Sequence, residues 1–117
     1  MTAFRLISLP LHGALELLVG MALMAAPFVL GFEPAGMVSG VAVGALVVGL
    51  ALSAANASDR PFDVTAHFAY DLGLVLGLFG AGLALSVGGD PRAGLTFIAA
   101  AIVALALNAT TRYSAHR

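Results

Sequence analysis

Residues 11–16 read Leu-His-Gly-Ala-Leu-Glu, and 55 positions later residues 66–71 read Ala-His-Phe-Ala-Tyr-Asp. Each stretch sets a histidine four residues ahead of a carboxylate. On a helix that spacing puts both side chains on one face, close enough to hydrogen-bond. His12, Glu16, His67 and Asp71 are therefore the candidate residues for chemistry. An imidazole beside an acid can neutralise it and pin helices together, ligate a divalent ion, or titrate near neutral pH and carry a proton. Two opposed histidines could also hold a haem axially. Carboxylates one turn deeper would sit badly against a haem face, so a metal ion is the better ligand within that reading.

These residues stand out because charge is scarce. Of 117 residues, 61% are apolar and only 9% charged, against about a quarter charged in a water-soluble domain. Four apolar stretches, roughly 9–30, 35–55, 64–87 and 93–109, fill most of the length. A hydrocarbon core about 30 Å thick needs about 20 helical residues, so each stretch can cross it. The fold class expected is all-α: a four-span bundle in a lipid bilayer. If the spans begin near Leu9 and Val64, the histidines lie about one turn inside and the acids about two turns. Ionisable groups at such depth face the bundle interior or a wet cavity.

Prolines stand near the start of each span, at Pro10, Pro34, Pro61 and Pro91, where the missing N–H is no loss. Asp90 is an expected N-cap for the fourth helix, and Asp63 for the third. Pro27 lies late in the first span and is expected to kink or end it. Short connections imply antiparallel neighbours. There is no lysine. Arg5, Arg60, Arg112 and Arg117 fall on one side of the four-span scheme and Arg92 on the other, which places both termini in the cytoplasm. Ala25-Ala26 could end a signal peptide, but His12 and Glu16 interrupt its apolar region.

Sliding residues 12–54 onto 67–109 pairs His12 with His67, Leu17 with Leu72, Val48 with Val103, and Leu50-Ala51-Leu52 with Leu105-Ala106-Leu107. It also pairs Glu16 with Asp71. Two such two-span units share an orientation and are related by a pseudo-two-fold axis along the membrane normal. The units expected are 9–57 and 64–111, joined by 58–63 and flanked by cytoplasmic segments 1–8 and 112–117. Gly36, Gly40 and Gly44 form one small-residue ridge; Gly73, Gly77, Gly80 and Ala84 form another. Such ridges let helix backbones approach closely. At about 100° per residue, the second ridge points away from Asp71, toward a second copy or another membrane protein.

Residues 20–32, Gly-Met-Ala-Leu-Met-Ala-Ala-Pro-Phe-Val-Leu-Gly-Phe, precede a glycine-rich second span. Together they resemble the SPW-repeat family of small prokaryotic membrane proteins, whose unit is a transmembrane helix pair with a Ser-Pro-Trp-like signature ending the first. Ala26-Pro27-Phe28 stands where that signature would be. The chain has no tryptophan, and its second copy reads Ala81-Gly82-Leu83 there, without proline. The resemblance implies a fold and a prokaryotic plasma membrane, and no activity.

No nucleophile elbow, phosphate loop or zinc-protease pattern occurs. Cysteine is absent and the net charge is −1, which removes thiolate chemistry and gives no sign of nucleic-acid binding. The expected role is non-enzymatic: a structural or accessory membrane protein packing with itself or a larger complex. The alternative is proton- or cation-coupled transport, or metal or haem binding, through the four His and acid residues. Exporters of the small multidrug-resistance type also carry a first-helix glutamate, but tandem His–acid pairs are not their pattern.

Overall fold

The computed structural model describes residues 7–55 and 61–111, the side chains of 54–55 and 61–64 excepted. It contains four helices: α1 (Leu9–Leu30), α2 (Pro34–Ala55), α3 (Pro61–Val87) and α4 (Pro91–Thr110). All four are long and apolar enough to cross a membrane. Their apolar residues run around the whole circumference: Leu18, Phe28, Val38, Leu46, Leu76, Leu83 and Leu95 are all exposed. A soluble helix would confine them to one stripe.

Proline opens α2, α3 and α4 and stands second in α1. Ser8 caps α1, its hydroxyl accepting from Leu11 N–H, and Asp90 caps α4 by accepting from Ala93 N–H. Asp63 is not a cap, because α3 already begins at Pro61. Pro27 does not end α1. The helix continues to Leu30 and stops at Gly31, whose φ of 67° suits glycine. What Pro27 does is pack: a Cβ on Gly40 would lie 2.6 Å from its ring and 3.2 Å from the Leu23 carbonyl. That carbonyl is the one Pro27 deprives of its usual i+4 donor, so the glycine covers the gap.

α1 packs on α2 and α3 on α4, giving two hairpins. In each, glycines let the backbones meet. A Cβ on Gly44 would come 2.8 Å from the Gly20 carbonyl oxygen, and one on Gly82 3.0 Å from that of Gly94. Between the hairpins lies an apolar core of Leu23, Val47, Val75, Leu78, Phe97 and Ala101.

The hairpins are also tied at both ends. At the loop end, Asp90 accepts from Glu33 N–H at 2.8 Å, and the Arg92 guanidinium donates to the Leu30 carbonyl at 2.9 Å. A cation there also complements the negative end of the α1 dipole. At the terminal end, Ile7 N–H donates to the Thr110 carbonyl at 2.9 Å. The polar cluster lies just inside this terminal end.

Candidate functional site

α1 carries His12 and Glu16 on its inner face, and α3 carries His67 and Asp71 on its own. All four residues are buried, between 1% and 4% exposed. The repeat puts the two parallel helices at equivalent depth, so the pairs meet across the bundle. One ligating atom from each residue can be chosen so that all lie within 4.8 Å of one another.

The two acids play unequal parts. Asp71 Oδ2 lies 2.9 Å from His12 Nε2 and 3.1 Å from His67 Nε2, so one oxygen stands within ion-pair distance of both imidazoles. Glu16 stands further back, Oε2 at 3.6 Å from His12 Nε2 and Oε1 at 3.7 Å from His67 Nε2. Those separations exceed hydrogen-bond length. Glu16 Oε1 and His67 Nε2 are buried without a hydrogen bond of proper geometry. The imidazoles meet edge to face, their centroids 5.9 Å apart.

α4 adds a residue that sequence reasoning missed. Thr111, fully buried at the end of α4, has its hydroxyl 2.5 Å from the Leu107 carbonyl and 2.7 Å from His12 Nδ1. Two acceptors cannot sit at 2.5 Å without a proton between them, so the hydroxyl donates to Leu107. It therefore accepts from His12, whose Nδ1 carries a proton. This fixes the ring and leaves Nε2 as the atom facing the acids. Thr111 is 99 residues from His12 in sequence. The only signal that could have found it is topological: with four antiparallel spans, α4 ends level with the start of α1. Asn108, in the last turn of α4, is buried as well, at 6% exposed.

Neither α2 nor α4 contributes a charged side chain here: α2 has none, and the single one on α4, Arg92, stands at its far end. Among the described side chains, the cluster is left to balance its own charge. Haem does not fit, since a porphyrin between these imidazoles would have to occupy the space of both carboxylates.

The packing glycines divide. Gly36, Gly40 and Gly44 all face close neighbours; at Gly36 a Cβ would lie 2.6 Å from Asp90 Oδ2 and 2.8 Å from Ala93 Cβ. Gly73, Gly77 and Gly80 have nothing within 4 Å of where a Cβ would stand. Arg5, Arg60, Arg112 and Arg117, which carry the orientation argument, lie outside the described residues.

No protein-family model matches the sequence, and no match is found among curated proteins or solved structures.

Proposed function

We propose that this chain is a non-enzymatic accessory protein of the prokaryotic plasma membrane, crossing it four times with both termini in the cytoplasm. It works by packing α3 against a second copy or a larger membrane complex. The observation that carries this reading is the open glycine face of α3. In its most apolar 18-residue stretch α3 is 22% buried, against 28% for α1 and α2 and 44% for α4. Among the described residues, nothing lies within 4 Å of where a Cβ on Gly73, Gly77 or Gly80 would stand. Glycine inside a helix is about 1 kcal/mol worse than alanine. Three on one face with no internal neighbour are accounted for by a backbone that approaches from outside.

The rest of the molecule supports the same reading. The connections at 31–33 and 88–90 are too short to build a site outside the membrane. Beyond the polar cluster, the bundle axis is filled by Leu23, Val47, Leu78 and Phe97, which argues against a proton or cation path to the far side. The cluster instead fastens α1 to α3.

Cysteine cross-linking in native membranes tests this, because the chain has no cysteine of its own. Gly77→Cys should be captured with a second copy or with another membrane protein. Leu46→Cys, on the exposed face of α2, should be captured far less. Recovery of Gly77→Cys only as monomer would sink the proposal.

A further inference from the structure

We infer that His12, Glu16, His67 and Asp71 together ligate one divalent first-row transition-metal ion, held as a fixed part of the bundle. Distances carry the argument. Four donors at about 2.0–2.1 Å from a tetrahedral ion lie about 3.3–3.4 Å from each other. Asp71 Oδ2 lies 2.9 and 3.1 Å from the two Nε2 atoms, and Glu16 approaches them at 3.6 Å through Oε2 and 3.7 Å through Oε1. One ligand atom from each residue falls within 4.8 Å of the others, so small side-chain rotations bring the set onto one ion. Two of the four contacts are too long for a hydrogen bond, yet suit ligands waiting on a common centre.

Three further features agree. Glu16 is 3% exposed, and among the described residues its Oε1 has no hydrogen-bond partner, although it lies 3.7 Å from His67 Nε2. A buried carboxylate oxygen left so is costly unless something else satisfies it. The charge also closes: with both imidazoles in the neutral form that ligation requires, two carboxylates and two imidazoles carry −2, which one divalent ion cancels without help from α2 or α4. Lastly, the His12 Nδ1–Thr111–Leu107 chain is the arrangement that orients a metal-ligating imidazole, holding the proton on one nitrogen and the lone pair of the other toward the ion. Two imidazoles with two carboxylates suit zinc and its first-row neighbours, not magnesium or calcium, which take oxygen ligands. The site lies about one to two turns from the terminal end of the bundle.

This inference is independent of the packing role, because the site lies inside one chain and its test is read on monomers in detergent. Untagged full-length protein is stripped with chelator and titrated with Zn²⁺ by calorimetry, then with Co²⁺ by visible absorption. About one ion per chain should bind, and Co²⁺ should give the intense bands of a four-coordinate site. Glu16→Gln, nearly identical in shape, should lose both signals. Thr111→Val, which touches no ion, should weaken Zn²⁺ binding about 10–100-fold, the usual effect of removing an imidazole's outer partner. His116→Ala, in the tail, should bind like the parent. Folded parent protein that binds neither ion would overturn the inference. So would binding that survives Glu16→Gln or vanishes in His116→Ala.

Discussion

α2 and α3 each carry three glycines on one face, and the bundle uses them in opposite ways. Those of α2 are closed in: a Cβ on Gly44 would lie 2.5 Å from Met24 Cγ, 2.8 Å from Gly20 O and 2.9 Å from Met24 N. Those of α3 stand open. Glycine spacing alone therefore does not tell an inner seam from an outer face. The neighbouring polar residues do. Asp71 and His67 cannot face lipid cheaply, so they turn α3 until they point inward, and the glycines, roughly opposite them, point out. α2 has no charged residue and is free to turn its glycines toward α1.

The strongest test of that comparison removes the residue that sets the rotation of α3. Asp71 Oδ2 stands within ion-pair distance of both histidines, so Asp71→Ala leaves two buried imidazoles and an isolated Glu16. Deleting one partner of a buried charge cluster costs about 3–5 kcal/mol. Unfolding of the purified protein by SDS in mixed micelles should register a loss of that size. A loss below about 1 kcal/mol, as for a surface ion pair, would mean that something other than Asp71 orients α3.

Next in size is Gly44→Ala. Its obstacles include the backbone of α1, which cannot swing aside as a side-chain end can, so the new methyl must push the helices apart. Overpacking of this kind costs about 1–3 kcal/mol. The same unfolding measurement should place Gly44→Ala in that range. No measurable change would show that the α1–α2 seam is looser than the structure draws it.

Much of this was legible in the sequence because lipid leaves a chain few options. Backbone groups in the membrane must be satisfied within the helix, so apolar length and proline placement suffice to place α1 and α2 within a residue of their ends. The His–acid repeat and two parallel helices brought the four cluster residues together on paper. Three things stayed hidden. Pro27 was expected to kink or end α1; it does not end it, and the sequence does not show that Gly40 lies against its ring. Thr111 carried no signal of its own, since a threonine past the last span looks like any other. The inequality of Glu16 and Asp71 was also invisible: the side chain one methylene shorter takes the central position, which depends on interhelical spacing. Local sequence reports which face a residue occupies, and only packing reports what it meets there.

Gly77→Ala is the smallest effect and the most discriminating. Here the methyl enters open space, so no clash offsets the gain from replacing glycine in a helix, about 1 kcal/mol at most. In detergent-solubilised monomer, Gly77→Ala should be neutral or slightly stabilising, opposite in sign to Gly44→Ala. In the membrane the same methyl should keep a neighbouring backbone away and reduce assembly, so fold and association respond in opposite directions. That divergence separates an outer contact face from a surface that merely meets lipid, where assembly would not change. If Gly77→Ala destabilised the monomer as much as Gly44→Ala does, α3 would have to pack its glycines internally, and the contrast between the two helices would fail.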